Sequence, residues 1–182
     1  MTIRTCPWWL GHTIDNPLRR LMHDPVKLLS PYVQNGMTAA DIGCGMGMFS
    51  LAMAKMVGVS GCVYSVDIQQ KMLDALRKRA AKAGVADRIR LIHTNEDSIG
   101  VQEPVDFVLA FWMVHEVRDK KRFFDQVASV LKKTGALLFV EPKMHVSRSQ
   151  YEDSLNVAKS AGFEVRETPS IRISLAAVLR KP

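Results

Sequence analysis

The sequence predicts an α/β chain built on one doubly wound, mostly parallel sheet with helices on both faces, and three observations carry that prediction. From Thr38 onward, short apolar runs alternate with amphipathic stretches, which is the pattern of βαβ units. The first of those runs ends in a glycine-rich corner, Ala39-Ala40-Asp41-Ile42-Gly43-Cys44-Gly45-Met46-Gly47. The tail carries two further runs joined only through Pro169-Ser170. That joint is too short for a parallel crossover, so the last two strands form an antiparallel hairpin. At 182 residues and 47% hydrophobic content, the chain has the size of a single domain with a substantial core.

Taken in order, the parallel strands are expected at 38–42, 62–67, 89–94, 105–110 and 136–141. A helix over 70–83 stops at Gly84; one over 120–132 starts after Asp119 as N-cap and stops near Gly135. A third, over 147–161, opens on a Ser147-x-x-Gln150 capping box and stops at Gly162. The tail strands fall at 163–168 and 172–179, which brings the sheet to seven strands. Ahead of them, Asn16-Pro17 and Asp24-Pro25 each pair a capping side chain with a proline suited to a first helical turn. The expected division is therefore a helical N-terminal segment, 1–36, and a sheet domain, 37–182.

The corner carries the chemistry. Alternate glycines let the backbone leave a strand sharply and approach a ligand closely, because no side chain intervenes. A second apolar run, Cys62-Val63-Tyr64-Ser65-Val66-Asp67, ends in a carboxylate suited to accept hydrogen bonds from both hydroxyls of a ribose. Corner and acid together point to an adenosyl cofactor; the competing explanation is a strand-turn-helix corner that needs glycine for packing alone. Dinucleotide sites favour G-x-G-x-x-G with a pyrophosphate on the helix N-terminus, but Met48 stands where the third glycine would be. Asp41, two residues before Gly43, would repel a pyrophosphate and attract an ammonium. S-adenosyl-L-methionine therefore fits better than NAD.

On these residues the sequence resembles the class I, Rossmann-like S-adenosylmethionine-dependent methyltransferases. The first motif of that family is similar to 41–47 and its second to Val66-Asp67-Ile68. The stretch from Phe111 through His115 to Asp119 resembles the motif of the type 11, quinone-biosynthesis-like group. The resemblance implies cofactor contacts from Asp41, Gly43, Cys44, Gly45, Gly47, Asp67 and Ile68. It also aligns Asn95 with the position that accepts the adenine amino group, leaving Glu96 and Asp97 as alternatives. Residues 130–136 look like the family's Leu-Lys-Pro-Gly-Gly turn but lack its proline and one glycine. N-terminal helices in this family cover the cofactor, which implies a short lid in which Trp8, Trp9 and His12 touch substrate; packing on the sheet edge is the alternative.

Ligands of open α/β sheets sit beyond the carboxyl ends of the strands, where strand order reverses. Ala110 and Phe111 are expected against the cofactor there, with Trp112 against the substrate. Methyl transfer needs an acceptor held close and in line, and a neutral amine or hydroxyl must also lose a proton. His115 has a suitable ordinary pKa. Glu141, ending its strand at the same rim, is a second catalytic candidate, with a loop anchor as its alternative role; Glu116 is another.

Most of the formal charge of +7 lies on two helical segments, Lys71 to Lys82 and Arg118 to Lys133. The resemblance implies that these helices cover opposite faces of the sheet, which argues against an extended nucleic-acid footprint. No apolar run approaches the roughly 20 residues of a membrane span, and the first residues lack a signal-peptide core, so a cytoplasmic location is expected. Cys6, Cys44 and Cys62 lack paired spacing, which suggests free thiols and no metal site. The expected function is methyl transfer from S-adenosylmethionine to a small-molecule acceptor, with no membrane partner. The alternatives are an RNA or protein methyltransferase, an NAD-type oxidoreductase, and a non-catalytic S-adenosylmethionine-binding protein.

Overall fold

The computed structural model describes residues 23–182. Helix α1 (Pro25–Leu29) starts as expected, Asp24 accepting from the backbone N–H groups of Val26 and Lys27 with Pro25 at the first turn. Then come β1 (Thr38–Ile42), α2 (Met48–Met56), β2 (Cys62–Asp67), α3 (Gln70–Lys82), β3 (Ile89–His93), β4 (Val105–Phe111), α4 (Lys120–Val130), β5 (Leu131–Pro142), α5 (Arg148–Ser160), β6 (Glu164–Glu167) and β7 (Ser174–Arg180). The helix expected at Pro17 lies outside the described residues.

The strands form one seven-stranded sheet in the order β3-β2-β1-β4-β5-β7-β6. β1 to β5 run parallel, and β7 inserts antiparallel between β5 and β6. The chain winds outward from β1 to β3, then returns to β4 and winds the other way. The crevice at the carboxyl ends of β1 and β4 is the switch point of this topology.

Period-two alternation assigns each strand residue to a face. Ala39, Phe107, Leu109 and Leu138 pack under α1, α2 and α3 with Leu29, Met53, Leu73 and Leu76. Ala40, Val108, Ala110, Leu137 and Phe139 pack under α4 and α5 with Phe124, Val127 and Tyr151. Both faces are covered, so the strands read as continuous apolar runs. α3 and α4, which carry the two basic segments, lie on opposite faces.

Element ends moved where tertiary pairing decides them. α4 ends at Val130 rather than at 132, because Leu131 enters β5 and pairs with Val105. β5 thus starts at Leu131 rather than at 136, with an irregular register between Val105 and Phe107. The capping box of α5 forms in full: Ser147 accepts from the Gln150 backbone while the Gln150 side chain accepts from the Ser147 backbone.

Candidate active site

β1 delivers the chain into the corner, where Gly43, Gly45 and Gly47 have φ of 73°, 54° and 84°. This left-handed region strains residues with a side chain. A Cβ on Gly47 would lie 2.1 Å from Leu76 Cδ1, so that glycine lets α3 pack onto the corner. A Cβ on Gly45 would meet nothing within 4 Å. The missing side chain there leaves open space.

The corner is pinned to β2. The N–H groups of Gly43 and Cys44 both donate to Val66 O, at 2.9 and 3.0 Å. The N–H of Gly45 donates to Asp67 Oδ2 at 2.9 Å, and that of Gln69 to Asp67 Oδ1 at 2.8 Å. One carboxylate thus holds the corner and the turn after β2 together. Burial pushes the Asp67 pKa up, and the donated backbone hydrogen bonds offset only part of that rise.

Beyond these strand ends lies a cavity of about 290 Å³. Its wall contains Asp41, Gly43, Cys44, Gly45, Asp67, Ile68, Asn95, Glu96, Phe111, Trp112 and His115. Three expected site residues are not in that wall. Ala110 is fully buried within β4, its methyl pointing into the α4–α5 face. Gly47 faces Leu76. Glu141 is 2% exposed and stands behind His115. Trp8, Trp9 and His12 lie outside the described residues.

Each side chain in the wall has a local reason for its position. Asp41 is held by Ser50, in the first turn of α2, whose hydroxyl donates to Oδ2 at 2.5 Å. Burial and the charges of Asp41 and Asp67 push the Cys44 thiol well up, which keeps it protonated and unreactive. The β3–β4 connection carries no helix; α4 braces it instead. Gln126 accepts from the Ile99 N–H at 2.9 Å and donates to Asp97 O at 2.8 Å. Within that loop Asn95 Oδ1 accepts from the Asp97 N–H, while Glu96 pairs with Arg118 at 3.0 Å and Asp97 with Arg122 at 2.9 Å.

At the opposite end, Trp112 has φ 61°, and its indole N–H donates to Ser174 Oγ at 3.0 Å. It packs with Phe111, whose ring also meets Phe49 at 4.5 Å between centroids. The His23 ring lies edge-on to Phe111 and Trp112, at 5.3 and 5.1 Å. His115 Nδ1 lies 2.6 Å from Glu141 Oε2, and Nε2 lies 3.9 Å from Glu116 Oε1. Burial pulls the His115 pKa down, but the hydrogen bond and charge of Glu141, with the charge of Glu116, outweigh it. The net shift is upward.

Sequence reasoning missed Ser50, Gln126 and His145. The first two act through other residues and carry no motif. His145, in the cavity wall with its ring 5.9 Å from that of His115, follows a strand end and was open to the same rim rule that located Trp112.

Strand order, reversed hairpin and corner place the chain in the class I, Rossmann-like methyltransferase fold. The methyltransferase domain family matches residues 39–135, more than half of the chain, and the chain belongs to that family. A demethylmenaquinone methyltransferase of Shouchella clausii is 29% identical over 110 residues, covering 60% of this chain and 46% of that protein. A ubiquinone biosynthesis O-methyltransferase of Xylella fastidiosa is 30% identical over 137 residues, covering 73% of this chain and 53% of that protein. The chain spans about half the length of the curated relatives it matches. Among solved structures, a SAM-dependent methyltransferase from Aquifex aeolicus superposes with a TM-score of 0.84 at 23% identity, covering 96% of this chain and 98% of that one. The [4+2]-cyclase SpnF superposes with a TM-score of 0.71 at 16% identity, covering 86% of this chain and 80% of that one. These likenesses show the fold alone.

Among the described residues, no helix is long and apolar enough to cross a membrane, and no group of three or more His, Cys, Asp or Glu could hold a metal ion.

Proposed function

We propose that this chain is an S-adenosylmethionine-dependent methyltransferase acting on a small-molecule acceptor. The observation that carries the reading is the junction of Gly45 with Asp67: a left-handed glycine with open space at its missing Cβ, its N–H bonded to a buried carboxylate in the same cavity wall. The residues present fit the cofactor. Asp67 would hold the ribose diol, Asp41 the amino-acid ammonium, and the braced 94–99 loop the adenine, with Asn95 Oδ1 as one acceptor of its amino group. Bound there, the sulfonium supplies an electrophilic methyl group. The chain's own residues hold the acceptor in line, and the aromatic wall of Phe111 and Trp112 excludes water from the point of transfer.

A relative named a demethylmenaquinone methyltransferase and one named for ubiquinone biosynthesis favour a small molecule over RNA or protein. The placement of basic α3 and α4 on opposite faces supports the same choice. Asp41 in the wall and Met48 at the start of α2 disfavour a pyrophosphate cofactor. Calorimetric titration with S-adenosylmethionine, S-adenosylhomocysteine and NADH tests the reading. Saturable binding of the first two is expected; NADH binding alone would overturn it.

A further inference from the structure

We propose that His115 and Glu141 form a proton-accepting pair at the acceptor end of the cavity, with Glu141 as the positioning residue. The acceptor is then a neutral hydroxyl or amine rather than a thiolate or another pre-formed anion. This inference rests on the methyl-transfer reading and names the acceptor class of the same site.

The two residues divide the task by position. Glu141, at 2% exposure, is outside the cavity wall, whereas His115 is part of it. The 2.6 Å contact takes Nδ1, so a neutral imidazole carries its proton there and leaves the Nε2 lone pair to accept from a molecule in the cavity. Glu141 is fixed by β5, where it pairs with Leu175 of β7, and His115 by the single 3-10 turn Val114–Glu116 that follows β4. The charged and titratable groups around the ring are Glu141 from β5, Glu116 from the same turn, Lys120 from α4 and His145 from the loop after β5. Burial of the ring and Lys120 oppose its protonation, while Glu141 and Glu116 favour it, with a net upward shift from the ordinary 6.5.

A buried carboxylate behind an imidazole fixes its tautomer and orientation and stabilises the charge the ring gains when it accepts a proton. A thiolate acceptor would present no proton for it to take. With a hydroxyl acceptor, the oxygen lone pair forms the new bond to the methyl carbon. The carbon–sulfur bond breaks, its electron pair remaining on sulfur as a neutral thioether, and the hydroxyl proton passes to Nε2. Glu141 balances the imidazolium until it returns that proton to water.

The His115 ring can be titrated by NMR in the full chain without any ligand. A midpoint above 6.5 is expected for the wild type. Glu141→Gln should lower it by about one pH unit, since both a hydrogen bond and a charge are lost, and Glu141→Asp should recover part of the shift. An unchanged midpoint in Glu141→Gln overturns the pair. S-adenosylhomocysteine affinity in Glu141→Gln should stay within about threefold of wild type, because Glu141 is outside the wall. Absence of that binding in the wild type itself would instead overturn the methyl-transfer reading, separately from the ligand-free titration.

The acceptor class is read with methyl-labelled S-adenosylmethionine and a panel of catechol, aniline and benzenethiol. Turnover of catechol or aniline is expected, falling at least about 100-fold in His115→Gln, in line with the usual contribution of general base catalysis. The acidic limb of its pH profile should move to lower pH in Glu141→Gln. Turnover confined to benzenethiol, or none with catechol or aniline by a chain that binds the cofactor, overturns the class.

Discussion

Asp67 does two jobs with one carboxylate, and its burial couples them to pH. In the folded chain it is 7% exposed, and desolvation raises its pKa. A carboxylate raised in the folded state loses its proton at lower pH when unfolded. Folding therefore takes up a proton between the two values, and the charged form costs stability above the folded pKa. Under the proposed reading, ligand binding has the opposite sign, because a ribose diol donates best to the ionised form. S-adenosylhomocysteine affinity should thus fall on acidification, starting above the ordinary Asp value of about 3.9, and Asp67→Asn should flatten that dependence in calorimetry across pH. Asp67→Ala should weaken binding by about 1.5–3 kcal/mol, the range for hydrogen bonds to a charged group. Gly45→Ala tests the neighbouring position: at φ 54° the left-handed strain is roughly 1–2 kcal/mol, yet its Cβ enters open space. The variant should fold, by circular dichroism, and lose S-adenosylhomocysteine binding. At this scale the sequence was most legible where type and spacing suffice, as at Gly45 and Asp67. It was least legible where a residue acts through another. Ser50 meets Asp41 because of the helical phase of α2, and Ala110 misses the cavity because its strand parity turns the methyl toward α4 and α5.

Elements start and stop for local or for tertiary reasons, and only the local ones can be read from the chain. The Ser147 capping box and the Asp119 N-cap satisfy backbone N–H groups within three residues, so they formed where expected. Ser147→Ala should cost about 1 kcal/mol by urea denaturation, the usual worth of such a cap. The start of β5 depends on Leu131 finding Val105, some distance away in sequence, and no local signal announces that pairing. The packing of α3 on the corner is likewise tertiary. A methyl at Gly47 would collide with Leu76, so Gly47→Ala should destabilise by about 1–3 kcal/mol, as overpacking does. Leu76→Ala removes the obstacle along with core packing. The double variant should be more stable than the sum of the two losses implies, with a coupling of at least about 0.5 kcal/mol in a double-mutant cycle.

For the molecule as a whole, strand count and hairpin were legible, while the insertion of β7 between β5 and β6 was not. A joint as short as residues 168–173 specifies that β6 and β7 run antiparallel. Which of them pairs with β5 is settled by burial: β7 brings Ala177, Val178 and Leu179, all fully buried, whereas β6 is the mostly exposed strand left at the edge. The cavity sits where β1, β2 and β4 converge, so a ligand that reaches from the corner after β1 to Phe111 and Trp112 at the end of β4 ties together the two halves of the sheet. Binding should therefore stabilise the whole fold as one unit. A ligand that binds only the native state contributes about 2.7 kcal/mol at 100 times its Kd. For a chain of this size, each kcal/mol raises Tm by about 2–4 °C. S-adenosylhomocysteine at that saturation should thus raise the melting midpoint by roughly 5–11 °C in differential scanning calorimetry, in a single transition. The same concentration should give a clearly smaller rise in Asp67→Ala, since the lost hydrogen bonds lower the saturation term directly. A wild-type chain that binds the ligand yet melts in two separate transitions, only one of them shifted, would show that the corner and the rest of the sheet fold independently.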